Sequence, residues 1–220
     1  MSDSNRLISP EQRRLVVSPL MLFLAALLVA WTFCVYVMRN IDWPLEFLPQ
    51  LLPIVLWSAA ILGWLQWQRI AKPARWLGLV PISRRAMVTA VAAFVVVVAW
   101  NLIRVSLVRT PGTILGQLPP EIYLWLILGV FLNEVLFRGI VQERLDEAYG
   151  PAIAIPAAAL LGVLFRLPAF FTSAVQVPID PMVLFGVLIF GCIAGLLRHF
   201  TRSLWPAAAL QWGNSLGSLF

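Results

Sequence analysis

Long apolar runs separated by short clusters of arginine and proline set the pattern of this chain. Residues 15–38 hold no charge over 24 positions. At 1.5 Å per residue that is about 36 Å of helix, enough to cross a hydrocarbon core of about 30 Å. A polar stretch with Arg39, Asp42 and Trp43 leads to a second run, about 47–67, with Pro49 and Pro53 near its start. Trp64 and Trp67 at its end read as interfacial anchors. Arg69, Lys72, Arg75, Arg84 and Arg85, punctuated by Pro73 and Pro81, form a basic connector. A Val- and Ala-rich run over about 86–103 gives a third span. The loop 106–120, with Pro111, Gly112, Pro119 and Pro120, stops it and starts the next.

The fourth run begins near Glu121, an acid suited to the positive end of a helix. It continues past the membrane as an amphipathic extension, 142–149, closed by Gly150 and Pro151 in the order expected of a helix stop. A fifth run, about 152–171, is interrupted by Arg166 and Pro168; a sixth covers 181–197 and a seventh 204–220. The pattern predicts an all-α, polytopic transmembrane bundle of about seven helices. Its expected organisation is a polar tail (1–14), a first group of helices with the basic connector (15–120), and a core (121–220). The run after the tail is too long for a signal-peptide core and lacks a small-residue cleavage site, so it is expected to remain as a span.

Composition agrees with this reading. Hydrophobic residues make up 61% and charged residues 12%, against about 45–50% and 25% in soluble domains. The net charge of +6 does not point to nucleic acid, because 15 of the 16 basic residues are arginines scattered between apolar runs. The expected partner is membrane lipid. With the amino terminus inside, twelve Lys and Arg fall on the cytoplasmic side and four (Arg39, Arg104, Arg109, Arg166) opposite. That bias predicts a bacterial-type inner membrane protein with a cytoplasmic amino terminus and an odd number of crossings. Cys34 and Cys192 both lie in apolar runs and read as small buried hydrophobes, with no disulfide implied.

One stretch breaks the apolar pattern. Asn133-Glu134-Val135-Leu136-Phe137-Arg138-Gly139 sets a carboxylate and a guanidinium four residues apart, on one helix face, inside what reads as membrane. Each charge alone would cost roughly 2.5–3.5 kcal/mol on insertion scales. The pair is therefore expected to face the bundle interior, Glu134 lying about a dozen residues, roughly 18 Å, from the outer surface. An intramembrane ionisable residue is a candidate site by default.

This stretch, followed by Val141-Gln142-Glu143-Arg144-Leu145, resembles the Glu-Glu-x-x-x-Arg motif of the CPBP family of intramembrane proteases, which includes CAAX prenyl endopeptidases and bacteriocin-processing enzymes. Gly195-Leu196-Leu197 and the run Thr201-Arg202-Ser203-Leu204-Trp205-Pro206-Ala207 look like the family's approach to its last conserved histidine. The resemblance covers about the last hundred residues. It implies a helical bundle around a polar cavity, where the first Glu of the motif activates water, two histidines complete the site and an Asn stabilises the oxyanion. The second Glu and the Arg correspond to Glu134 and Arg138. At the first Glu stands Asn133, which cannot act as a base. The family's Phe-x-x-x-His block looks like Phe165-Arg166-Leu167-Pro168-Ala169, with Ala169 at the histidine. The last block, His-x-x-x-Asn, looks like Gln211-Trp212-Gly213-Asn214-Ser215, with Gln211 at the histidine and Asn214 one residue early.

The chain's one histidine, His199, lies in a basic interfacial stretch, so a two-histidine site cannot be assembled from it. Gln211 neither takes a proton at neutral pH nor binds zinc well, and no metal or other cofactor is expected. Three readings follow. The first is a degenerate CPBP member, with Glu134–Arg138 a buried structural pair or part of a groove with Asn133, Gln211, Asn214 and Ser215. That groove would hold a transmembrane or lipidated peptide, or a lipid headgroup. The second is an active endopeptidase in which Glu134 has become the base. The third is a small transporter, against which stands the lack of an internal repeat. Gly213 and Gly217, a small-xxx-small pair, point to close helix packing.

Overall fold

In hydrocarbon no water serves the backbone amides, so each apolar run satisfies them internally as a helix. A computed structural model describes residues 9–42, 48–108, 120–171 and 181–217, and these are helical with no strand among them. The helices are α1 Pro10–Asn40, α2 Leu48–Trp67, α3 Pro73–Trp76, α4 Arg84–Val108 and α5 Pro120–Glu134. After a π-helical segment Val135–Val141 come α6 Gln142–Tyr149, α7 Pro151–Leu164, α8 Pro168–Phe171, α9 Pro181–Thr201 and α10 Trp205–Gly217. Arg6, Trp43, Arg109, Pro111, Gly112, Pro119 and the end of the seventh run fall outside the described residues. Four stretches are long and apolar enough to cross a membrane: Pro10–Asn40, Arg84–Leu107, Pro151–Phe171 and Pro181–Thr201; a shorter apolar helix covers Leu51–Trp67. The chain is an all-α, multi-pass membrane protein.

Boundaries differ from the apolar pattern where charged residues join helices. The first helix starts at Pro10, capped by a reciprocal box in which the Ser9 hydroxyl accepts from the Gln12 amide and the Gln12 side chain accepts from the Ser9 amide. Part of the polar tail is therefore its first turn. Likewise α4 takes in Arg84, Arg85 and Arg104 and runs on past Ser106, where a loop was expected. The fifth run breaks as foreseen: α7 stops at Leu164 and α8 starts at Pro168. Trp64 is a correction. Instead of anchoring at the interface it is 1% exposed, with its ring 4.8 Å from Phe23 and 5.5 Å from Trp67; Trp67 is exposed. Its position on the inner face of α2 outweighs its nearness to the helix end.

The main core forms around the π-helical segment. Leu136, Phe137, Ile140 and Val141 are buried against Leu20, Leu24 and Leu27 of α1, Trp57, Ile61 and Trp64 of α2, and Ala154 and Ala158 of α7. Lipid is as apolar as these side chains, so helix association depends on close packing and internal hydrogen bonds. The α4–α10 contact, the most extensive in the bundle, shows how. A Cβ on Gly213 would lie 3.0 Å from the Phe94 carbonyl oxygen, and one on Gly217 would lie 2.5 Å from Asn101 Nδ2. The small-xxx-small pair thus lets α10 close onto α4.

The basic connector folds back as a clasp over one end of the bundle. Leu77 packs into the space left by Gly139, where a Cβ would meet Leu77 Cδ2 at 2.8 Å. Gly78, at φ 76°, makes a turn that side chains rarely adopt, and the Arg198 guanidinium lies against it. Arg198 Nη2 donates to Glu143 Oε2 at 3.0 Å and the Gly78 carbonyl accepts from the Leu204 amide at 2.9 Å. Trp205 Nε1 donates to the Leu79 carbonyl at 3.0 Å. Burial in this joint raises the Glu143 carboxyl above its ordinary range, while Arg198 works in the other direction.

Candidate functional site

The apolar sequence through Glu134 favours a regular α-helix, yet at the motif the backbone widens into the π-helical segment Val135–Val141. The Gln142 amide reaches five residues back to the Phe137 carbonyl. Segments of this kind recur at functional sites. Here the widened turn carries Arg138, Glu134 ends the α-helix just before it, and both are buried. Arg138 Nε lies 3.6 Å from Glu134 Oε2, an ion pair longer than a hydrogen bond. Glu134 Oε2 and Arg138 Nε and Nη1 have no hydrogen-bond partner. Room for the guanidinium comes from two small residues: a Cβ on Gly191 of α9 would meet Arg138 Nη2 and Ala159 Cβ, each at 2.9 Å.

The pair borders a cavity of about 400 Å³. Asn133, Glu134, Arg138, Ala169, Gln211 and Ser215 all line it. Four helical segments thus bring together residues up to 82 positions apart, while Asn214, on the same helix as Gln211, is not among the lining residues. Gln211 and Ser215 are one helical turn apart on α10 and share a face, whereas Asn214 is turned from it. Ala169 lies on α8, directly after the turn from α7. That turn is tied to α1 by Trp31 Nε1, which donates to the Phe165 carbonyl at 2.7 Å, and by Arg39, which donates to the Ala169 carbonyl.

Several lining residues were not foreseen as part of a site. Trp31 and Trp57 come from the first two helices, Arg166 from the α7–α8 turn, and Val183, Val187 and Gly191 from α9. The site is therefore walled by more of the bundle than the helices that carry Glu134, Ala169 and Gln211. Arg166 carried the one available signal, a charge interrupting an apolar run. Trp31 and Val187 look in sequence like any other lipid- or core-facing residue. Gly129 and Gly162 face open space, with no atom within 4 Å of a Cβ on either.

Chemically the described lining residues offer one carboxylate, two guanidiniums, two carboxamides and a hydroxyl on aromatic and aliphatic walls. Among the described residues no three His, Cys, Asp or Glu gather to hold a metal ion. The donor set at Glu134 does not fit one either, because its neighbours at the motif positions are an amide, a methyl group and a second amide. His199 lies elsewhere, on α9 beside the clasp, its ring 5.6 Å from that of Phe200. Both cysteines are free.

Comparison with known proteins bears on the same stretch. Residues 115–217 match the family model of type II CAAX prenyl endopeptidase Rce1-like proteins. No curated protein and no solved structure matches the chain. The matched segment holds the motif helix, the α7–α8 turn, α9 and α10, and so most of the cavity wall. Residues 115–217, a little under half of the chain, are thus similar to the CAAX-protease-like membrane proteins of the CPBP family.

Proposed function

We propose that this protein is a catalytically degenerate CAAX-protease-like protein of a bacterial-type inner membrane, its amino terminus cytoplasmic. It acts as a scaffold, peptide-binding or immunity-type protein and holds an apolar segment in its cavity without cleaving it. One observation carries this reading: a cavity lies at the motif, and Asn133, Ala169 and Gln211 line it at the positions where the resemblance puts a base and two histidines. The Glu134–Arg138 pair then fixes the wall and orients what binds, instead of activating water.

A second reading has its own observation. Glu134 lines the cavity and its Oε2 has no hydrogen-bond partner, which leaves the carboxylate available as a base. One experiment separates the two. Purified protein in nanodiscs is incubated with prenylated and unprenylated transmembrane peptides, comparing wild type, Glu134→Gln and Gly162→Leu. The binding role predicts no cleavage by any form, and peptide retention lost in Gly162→Leu, whose new side chain fills open cavity. Cleavage by wild type that disappears in Glu134→Gln would overturn it and make Glu134 the base.

A further inference from the structure

The charges among the cavity's described lining residues do not balance. Among its described lining residues Glu134 is the one carboxylate, and it faces two guanidiniums, Arg138 and Arg166. Arg138 is its close partner at 3.6 Å. Arg166 enters from the α7–α8 turn and interacts electrostatically with Glu134 through the cavity. Arg166 is exposed on that turn, so its guanidinium lines the cavity where the head of a ligand can reach it. Besides Asn133, Gln211 and Ser215 the wall is largely aromatic and aliphatic, with Trp31, Trp57, Phe165 and Val187. A site of one surplus cation on apolar walls suits a ligand with a single negative head on an apolar chain.

Val183 lines the cavity and is also 53% exposed on α9, a helix long and apolar enough to cross a membrane. A cavity residue exposed on such a helix suits a ligand that comes from the bilayer. We infer that the cavity takes a long-chain carboxylate from the bilayer, its head paired with Arg166 and its chain laid along the aromatic wall. The planar guanidinium matches a carboxylate with two parallel hydrogen bonds, and the single charge restores neutrality. This rests on the reading of the cavity as a binding site and adds the charge and source of the ligand.

The test uses the full protein in zwitterionic nanodiscs with brominated palmitate and its methyl ester, read by quenching of tryptophan fluorescence. Quenching that Gly162→Leu removes is the cavity's own. In wild type the acid should saturate this component at about tenfold lower concentration than the ester, the scale of one charge-assisted contact. Arg166→Gln should erase the acid's advantage while leaving the ester's binding, and Arg166→Lys should keep part of it. Thermal unfolding confirms that both variants are folded. Acid and ester binding alike in wild type, or an advantage that survives Arg166→Gln, would overturn the inference and leave the cavity a binding site. No component sensitive to Gly162→Leu would overturn both. Displacement of the acid by an apolar peptide with a free carboxyl terminus, but not by its amide, together with no saturable binding of the acid to protein prepared without peptide, would overturn the lipid source.

Discussion

Removing the carboxylate at Glu134 should destabilise the bundle more than removing its neighbour Arg138, and the order follows from the charge count. The two side chains are 3% and 4% exposed, and at 3.6 Å their mutual attraction is about 4.6 kcal/mol for an effective dielectric of about 20. That gross figure is close to the roughly 3–5 kcal/mol typically lost when one partner of a buried pair is removed. The two deletions are not equivalent here, because Arg166 lines the same cavity. Glu134→Gln leaves two guanidiniums and no anion, so the full loss of about 3–5 kcal/mol is expected. Arg138→Met leaves Glu134 facing Arg166, and a smaller loss of about 1–3 kcal/mol is expected. The double variant should lose less than the sum of the singles, with a coupling of about 2 kcal/mol. Unfolding in mixed micelles by titration with sodium dodecyl sulfate, followed by tryptophan fluorescence, measures all three. A larger loss for Arg138→Met than for Glu134→Gln, or additive losses, would refute the argument that Arg166 shares this electrostatic unit.

Other variants probe the packing. Gly217→Ala should cost about 1–3 kcal/mol in the same titration, because its Cβ would overlap Asn101, whose Nδ2 is tied to the Val97 carbonyl at 2.9 Å. Gly63→Ala, in open space within α2, should instead gain about 0.5–1 kcal/mol, and a loss there would mean that the packing account of the glycines is wrong. Trp31→Phe removes the donor to the Phe165 carbonyl and should cost about 0.5–1.5 kcal/mol, with faster amide exchange over residues 165–169 as its local signature. Arg198→Met should loosen the clasp, so that limited proteolysis cuts within residues 69–83 before the rest of the chain; an unchanged digestion pattern would show that other contacts hold the connector. Treatment with a chelator should leave the unfolding midpoint where it was, since the described residues gather no metal-binding group.

Apolar run length and proline position were enough to locate the helices, because in hydrocarbon a long uncharged run has few alternatives to helix. The break at Arg166 and Pro168 was legible for the same reason. Helix ends were less so: the capping box at Ser9 and the arginines at both ends of α4 extend helices into polar sequence, where hydropathy gives no signal. Trp64 shows a different limit, since an indole near a helix end suits either the interface or the core, and only the facing helix decides. Within the site, Glu134 and Arg138 stood out because charges are costly in such surroundings, and the family resemblance added Asn133, Ala169 and Gln211. Trp31, Val187 and Gly191 did not, because their part in the cavity is one of shape and depends on which helices meet. Asn214 was placed near Gln211 by sequence distance, but helical phase turns it out of the lining while Ser215 takes that face.

The widened turn at Val135–Val141 makes chain length itself a variable of the site. A π-helical turn holds more residues than an α-helical one, so the faces of α5 and α6 are offset relative to an unbroken helix. Deleting one residue between Phe137 and Gln142 would let the backbone return to a regular α-helix while rotating everything beyond it. Gln142, which donates to the Gly195 carbonyl at 3.0 Å, and Glu143, which meets Arg198, would then swing away from α9. The number of residues separating the Glu-x-x-x-Arg block from the Gln-Glu-Arg block is thus a constraint in its own right. Aligned chains that keep both blocks but differ in the spacing between them would not share this geometry.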